Sequence, residues 1–249
     1  ASLGVTPFKF GMIGSTDTHT SLSTTTEDNF FGKVSADEPT PDPSRFAETV
    51  GGIGGPREVG QYARQTSAAG LAGVWSRENT REAIWDALAR KEVFATTGTR
   101  IRVRVFAGWK FSEEDLVRSD FAQQGYANGV PMGGDLAEAP QGKAPTFLIR
   151  AIRDVDGANL DRIQIVKGWL DRNGKTHEKI YDLACSDGRS IAANNRCDEP
   201  VGNTVNVEAA TYSNAIGAPA MEAYWSDPDF HPERRAFYYV RVIEIPTPR

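Results

Sequence analysis

The sequence is poor in the residues that build a self-contained metal or redox centre. Its 249 residues include only three histidines and two cysteines. Three histidines cannot supply a His-rich multinuclear centre, so further ligands would have to be carboxylates, waters or residues outside this chain. The cysteines, Cys185 and Cys197, lack Cys-x-x-Cys spacing. They flank a polar loop, so a disulfide that closes this loop and two buried free thiols are both open from the residues alone.

Long apolar runs and an excess of basic residues are also missing. No run approaches the ~18 apolar residues of a membrane-spanning helix, and a mean hydropathy of −0.43 excludes a membrane protein. The 28 basic and 33 acidic residues give a net charge of −5. A sequence-independent nucleic-acid binder would need a clustered basic face. The sequence therefore predicts neither a membrane span nor a nucleic-acid partner.

The candidate chemistry follows an apolar segment near the start of the chain. Residues 10–14, Phe-Gly-Met-Ile-Gly, predict a short buried strand, and Asp17 and His19 follow it. On an extended backbone the two side chains point the same way and can converge on one metal ion. An Asp that accepts a proton from a nearby His is also an ordinary structural pair, and catalytic metal sites normally have three protein ligands. Half of a metal site and a structural pair both remain open at this point.

The pattern of the chain changes at about residue 100. Residues 1–100 predict a strand, a long excursion over residues 21–70, a strand at Gly70–Trp75, a helix opened by Asn79 with a capping box, and a further strand. This order is typical of the end of an α/β domain. Loops as long as the excursion are usually functional lids or disordered, and its composition favours a lid.

The remainder of the chain, residues 101–249, consists of short alternating runs separated by turn residues. This pattern predicts an antiparallel β-sandwich with a hairpin at Asp171-Arg-Asn-Gly174. We expect its aromatic residues to lie in the core, and an exposed aromatic stripe for sugar binding is the alternative. The predicted strands are 101–106, 145–152, 161–169, 179–184, 203–207 and 236–245.

Motifs along most of the chain carry a family resemblance. They are Gly-Ser-Thr-Asp-Thr-His-Thr at 14–20, Glu-Asp-Asn-Phe-Phe-Gly-Lys at 27–33, Ala-Gly-Leu-Ala-Gly-Val-Trp at 69–75, Glu-Asn-Thr-Arg-Glu-Ala-Ile at 78–84, Ala-Thr-Thr-Gly-Thr-Arg-Ile at 95–101, Leu-Asp-Arg-Ile-Gln-Ile-Val-Lys-Gly-Trp at 160–169 and Tyr-Tyr-Val-Arg-Val-Ile-Glu-Ile-Pro-Thr-Pro at 238–248. Together they resemble the bacterial family of unknown function DUF3604. Members of that family are similar to the PHP (polymerase and histidinol phosphatase) superfamily of metal-dependent phosphoesterases.

The resemblance implies a fold and a site. The fold would be the C-terminal part of a PHP-like α/β barrel followed by an immunoglobulin-like β-sandwich. Asp17 and His19 match the closing Asp-x-His motif of a site for divalent Zn, Mn or Fe. Lys33 and Asn29, on the lid, would contact a small phosphoester-like substrate.

The resemblance also implies partners and a location. Family members are longer, and their opening His-x-His motif lies in an N-terminal portion that this chain lacks, so we expect this missing portion to be a partner. The full-length protein would be a metal-dependent hydrolase, and this chain alone would be inactive. The alternative is a non-catalytic packing or binding module for a glycan or a partner domain. Because family members often resemble exported proteins, a Cys185–Cys197 disulfide and a periplasmic or secreted location are expected.

Overall fold

The computed structural model describes residues 9–21, 43, 49–50, 61–62 and 69–248. The chain divides into two compact units. Residues 1–88, 93–100 and 249 form unit 1, and residues 89–92 and 101–248 form unit 2. In the described ranges the sheets are antiparallel, the helices are few and no closed barrel is present. None of the helices among these residues has the length and apolar character needed to cross a membrane.

Unit 1 contains two short antiparallel strand pairs and one helix. Its elements are β1 (Thr49–Val50), β2 (Gln61–Tyr62), β3 (Leu71–Val74), α1 (Arg81–Ala89) and β4 (Val93–Thr96). In the β3–β4 pair, Leu71 lies opposite Thr96 and Val74 opposite Val93, so the two strands are antiparallel. Strands joined through a helix in an α/β barrel run parallel. The described residues therefore do not support the expected PHP-like barrel.

The helix α1 begins one residue later than the sequence predicts. The backbone N–H of Ala83 donates to Oγ1 of Thr80 over 3.3 Å, which makes Thr80 the capping residue in place of Asn79. Few side chains of the helix are buried. Ala87 is fully buried, whereas Trp85 and Leu88 are 70% and 39% exposed. The sequence spacing predicts an inward stripe of Ile84, Ala87, Leu88 and Lys91, and this prediction is wrong at Leu88.

The apolar segment at residues 10–14 is not a strand and is not buried. Phe10, Met12 and Ile13 are 70%, 52% and 59% exposed. The segment nevertheless passes close to β3, because a Cβ added to Gly14 would lie 2.5 Å from the Leu71 carbonyl oxygen. A Cβ on Gly70 would likewise lie 2.3 Å from the Ser15 carbonyl oxygen. Only glycine allows two backbones to approach this closely.

Unit 2 is built from two antiparallel sheets that share one core. Their strands are β5 (Arg102–Gly108), β6 (Gly129–Pro131), β7 (Thr146–Ile152), β8 (Leu160–Leu170), β9 (Thr176–Cys185), β10 (Ala220–Ser226) and β11 (Ala236–Glu244). The strand order is β10-β7-β5-β6 in one sheet and β11-β8-β9 in the other. Buried side chains of β7, β8, β9 and β10 meet in a single hydrophobic cluster. This arrangement is compatible with the predicted β-sandwich.

A second apolar cluster covers the outer face of the four-stranded sheet. Phe106 of β5 and Leu148 of β7 are fully buried there, because a 3₁₀ helix (Glu113–Val117) and α2 (Phe121–Asn128) pack onto them. The ring of Phe106 meets that of Phe121 edge to face at 5.5 Å. This helical layer was not expected from the sequence.

Two further expectations about the sandwich need correction. The predicted strand at 203–207 is absent, and an isolated bridge between Asn206 and Thr211 is the β-pairing of that stretch. Phe237 was expected in the core but is 61% exposed, whereas Tyr181 is 2% exposed and Trp225 and Tyr238 pack against the core. Because β11 alternates, Phe237 and Tyr239 face away from the core and Tyr238 faces into it.

Candidate functional site

Asp17 and His19 lie next to each other, as their spacing predicts, although the backbone between them is not an extended strand. Asp17 has a φ of 52°, in the left-handed region that Asp tolerates better than most residues. The His19 Nε2 atom lies 3.5 Å from Asp17 Oδ1. The side chains of His19 and Asp17 are 49% and 59% exposed, so an ion or a partner can reach them.

The separation of Asp17 Oδ1 and His19 Nε2 is compatible with two ligands of one metal ion and with an ion pair. Zinc binds Asp oxygen and His nitrogen at about 2.0–2.2 Å with tetrahedral angles, which places two ligand atoms ~3.4 Å apart. The 3.5 Å between Asp17 Oδ1 and His19 Nε2 is close to this value. It exceeds the ~2.7–3.2 Å of an ordinary N–H···O hydrogen bond. The oxygen and nitrogen donors also suit Zn, Mn and Fe.

The described residues do not bring a third ligand to this pair. Their one group of three potential metal ligands is Asp182 with Cys185 and Cys197, which lies in unit 2. The two sulfur atoms of that group are joined in a disulfide with a Cα–Cα distance of 6.0 Å. The candidate substrate contacts Lys33 and Asn29, on the expected lid, lie outside the described residues.

The disulfide closes a loop whose base is fixed by a buried carboxylate. Asp182 accepts hydrogen bonds from the Cys197 backbone N–H over 2.8 Å and from the Gln164 side-chain amide over 2.6 Å. The Arg196 guanidinium lies 3.7 Å from the same carboxylate. These partners use the carboxylate oxygens of Asp182, so this group acts as a structural anchor for the loop.

A second buried polar network lies between the sheets of unit 2. Lys167 of β8 donates to Asp227 over 2.6 Å and to the Asp229 carbonyl oxygen over 2.8 Å. The Tyr238 hydroxyl donates to the same Asp227 carboxylate over 2.6 Å. The side chains of Lys167 and Asp227 are 6% and 0% exposed. Burial, and then the hydrogen bond to Asp227, raise the pKa of Tyr238.

The network continues to the solvent edge through Asp229. Its carboxylate accepts hydrogen bonds from Lys179 and from the Tyr181 hydroxyl. The bond from Lys179, followed by that from Tyr181, lowers the pKa of Asp229, while burial raises the pKa of Tyr181. Our sequence reasoning missed these groups, although Asp227-Pro-Asp229 directly after a strand is a recognisable signal for a polar turn. Because the buried charges are paired, we interpret the network as a structural connection between β8, β9, β11 and the 227–229 turn.

Comparisons with known proteins give a family and nothing finer. A family model described as "Protein of unknown function (DUF3604)" matches residues 1–249. No curated protein and no solved structure matches the chain.

Proposed function

We propose, from the premise that the chain belongs to the DUF3604 family, that Asp17 and His19 supply two ligands of a divalent metal site in a metal-dependent hydrolase that acts on phosphoesters. The observation that carries the proposal is the 3.5 Å separation of Asp17 Oδ1 and His19 Nε2, which suits two ligands of one ion. The metal motif comes from the PHP resemblance. A metal site at Asp17 and His19 does not require the PHP-like barrel, which the antiparallel β3–β4 pair does not favour.

The roles of the two residues follow from their chemistry. Asp17 would provide an anionic oxygen and His19 a neutral imidazole nitrogen, and their exposure leaves the remaining coordination positions open to other ligands and to substrate. A bound divalent ion would polarise a substrate oxygen and lower the pKa of a bound water. We infer that further ligands come from the N-terminal portion that family members possess, or from residues 22–42 of this chain. Lys33 and Asn29 remain candidates for substrate contact.

The metal proposal is tested on the longer protein that includes the N-terminal portion. Asp17→Asn and His19→Gln should each lower metal affinity by about tenfold or more, measured by elemental analysis after dialysis against a weak chelator. Hydrolysis of p-nitrophenyl phosphate should fall in parallel. The matched control His177→Gln removes a histidine of unit 2 and should change neither quantity. Unchanged metal content and hydrolysis in both site variants would rule out the assignment.

We also propose a finer description of unit 2 as an immunoglobulin-like sandwich. In immunoglobulin domains strand B lies between strands A and E in one sheet. Strand C lies between strands C′ and F in the other sheet. The orders β10-β7-β5 and β11-β8-β9 follow the same pattern. On this correspondence, β5, β7, β8, β9, β10 and β11 take the positions of strands A, B, C, C′, E and F.

A periplasmic or secreted location is a further proposal, and the disulfide supports it. Bonds such as Cys185–Cys197 persist in oxidising compartments and are rare in the cytosol. Mass spectrometry of protein alkylated without reduction, purified from its native host, should detect no free thiol. Two alkylated cysteines in this material would contradict the proposal.

A second candidate function, a packing module, is favoured by the exposed apolar side chains of unit 1. Phe10, Ile13 and Trp85 are 70%, 59% and 70% exposed, and the two-stranded β3–β4 sheet is too small to be stable alone. We propose that an N-terminal portion, of the kind that the family resemblance implies, covers these groups. In co-expression, Trp85→Lys should weaken capture of that portion, whereas the exposed control Arg77→Glu should not. Binding of residues 101–249 to a glycan array in place of the N-terminal portion would favour a glycan-binding module.

A further inference from the structure

Lys167 carries a nucleophilic amine in the interior of unit 2, where it meets the Asp227 carboxylate. Lys167 lies on β8 of the three-stranded sheet, and Asp227 directly follows β10 of the four-stranded sheet. The Lys167 Nζ atom lies 2.6 Å from Asp227 Oδ2, and the two side chains are 6% and 0% exposed. An amine and a carboxyl group from opposite sheets are therefore in contact where water has almost no access.

The surrounding groups hold both reactants in place. Lys167 Nζ also donates to the Asp229 carbonyl oxygen over 2.8 Å. The ring centroids of Trp169 and Tyr238 lie 5.5 Å and 5.9 Å from Nζ. Two groups fixed in contact can reach an effective concentration of ~10⁵–10⁸ M, provided that their orientation suits the reaction. Bond formation between Lys167 and Asp227 would therefore be an intramolecular step that needs no diffusion.

Each oxygen of the Asp227 carboxylate accepts a hydrogen bond that suits a part in amide formation. The Asp229 backbone N–H donates to Oδ1 over 2.9 Å, so it can stabilise negative charge on that oxygen in a tetrahedral intermediate. The Tyr238 hydroxyl donates to Oδ2 over 2.6 Å. Burial, and then the hydrogen bond to Asp227, raise the pKa of Tyr238, so this hydroxyl keeps its proton. These contacts favour Oδ1 as the oxygen that stays and Oδ2 as the oxygen that leaves.

We propose that Lys167 and Asp227 condense to an amide bond that joins the two sheets of unit 2. The structure has the ion pair, which is the state before condensation. A proton moves from the Lys167 ammonium to Oδ2, and the resulting neutral pair avoids part of the cost of burying two charges. The Nζ lone pair then forms a bond to Cγ of Asp227. A second proton passes from Nζ to Oδ2, and the Cγ–Oδ2 bond breaks to release water.

The reaction consumes no oxidant and no co-reactant, and it is independent of the metal site. An exposed lysine pair in the same network serves as an internal comparison. Lys179 also contacts a carboxylate, that of Asp229, but these side chains are 40% and 48% exposed. Water solvates both charges there, so a neutral amine and acid are not favoured. We therefore expect the amide at Lys167 and none at Lys179.

Intact mass spectrometry of the full chain tests the bond, after reduction so that the disulfide does not contribute to the mass. We expect the wild-type chain to be lighter than the mass calculated from its sequence by one water. Lys167→Met should have its full calculated mass. Lys175→Met, at the exposed β8–β9 turn, should still lack one water. A wild-type chain with the full calculated mass would overturn the proposal.

Digestion with trypsin locates the bond. Because trypsin does not cleave after an acylated lysine, we expect a branched peptide that joins residues 163–172 to residues 197–234. Its fragment spectrum should place the link between Lys167 and Asp227. Succinimide formation at an Asp-Gly sequence also removes one water, but it gives no branched peptide. A lower mass without this branched peptide would therefore contradict the proposal.

The rate of water loss tests the part of Tyr238. Chains made by cell-free synthesis and sampled over time give this rate by intact mass. Tyr238→Phe removes the hydroxyl that donates to the leaving oxygen, and we expect it to slow the loss of water by about tenfold or more. Tyr239→Phe makes the same change on the opposite face of β11 and should leave the rate unchanged. An equal rate in Tyr238→Phe and the wild type would contradict the assignment of Oδ2 as the leaving oxygen.

Discussion

Lys167 and Asp227 carry opposite charges in the interior of unit 2. Each charge lowers the free-energy cost of burying the other. The ammonium and carboxylate are 2.6 Å apart, and Tyr238 and the Asp229 backbone N–H also donate to Asp227. Taking two charges out of water is unfavourable, and here their pairing and hydrogen bonds offset this cost. Breaking the pair leaves a buried charge without its counterion, whereas removing both charges does not.

The prediction at this pair is a difference between single and double substitutions. Lys167→Met should lower the free energy of unfolding by about 3–5 kcal/mol, because Asp227 is then buried without a cation. The double variant Lys167→Met/Asp227→Leu should recover part of this loss. Urea unfolding followed by tryptophan fluorescence measures both, with Lys175→Met at the exposed turn as the control. A single variant as stable as the wild type would show that the pair is not coupled.

Asp120 gives a prediction for acid pH. Hydrogen bonds from Arg118, and then from the Gln124 amide, lower its pKa to about 2. Since the pKa is lowered on folding, the stabilisation is present above the unfolded value of ~3.9 and is lost as the pH falls through about 2. Carboxyl NMR should give a midpoint for Asp120 near 2. Arg118→Met should move the midpoint upwards, and an unchanged midpoint would exclude Arg118 as the main cause.

At the scale of elements, the contact of α2 with its sheet depends on one glycine. A Cβ added to Gly125 would lie 2.4 Å from ring atoms of Phe106, which is fully buried. In an exposed helix, Gly→Ala stabilises by ~1 kcal/mol. Here we expect the overpacking to outweigh that gain, so that Gly125→Ala lowers the free energy of unfolding by about 1–2 kcal/mol. Gln123→Ala, on the exposed side of α2, is the control, and a stabilised Gly125→Ala protein would contradict the close contact.

Elements with strong local signals were predictable from the sequence. The β8–β9 hairpin has alternating strands and an Asp-Arg-Asn-Gly turn, and its Gly174 has the positive φ of 78° that glycine favours. In contrast, α2 has Gly125 in its middle and a weak polar pattern, so tertiary packing decides its helical form. The apolar run at 10–14 predicted burial, but a sequence does not specify which surface covers such a run.

The candidate site was also predictable only in part, because the packing of distant segments cannot be read from the sequence. The spacing of Asp17 and His19 predicts that their side chains lie together, and they do so through a left-handed turn at Asp17 and not along a strand. The Lys167–Asp227 pair was not predicted, because its members are 60 residues apart and only the packing of the sheets brings them together.

At the scale of the whole molecule, the proposed metal site predicts how this chain should behave alone. Two ligands from one turn leave at least one ligand to be supplied, and ordering a further segment for a metal bond costs conformational entropy. We therefore expect the isolated 249-residue chain to bind Zn, Mn or Fe weakly and to show no phosphoesterase activity.

Calorimetric titration of the isolated chain with Zn²⁺ measures this prediction directly. We expect a dissociation constant at least about tenfold weaker than that of a longer protein that carries the proposed N-terminal portion. Asp17→Asn should abolish the weak binding that remains, since one donor atom alone is not a site. A stoichiometric, chelator-resistant ion in the isolated chain would contradict the half-site. It would require ligands from residues 22–42 of the same chain, and carboxylate substitutions at Glu27 and Asp28 would then identify them.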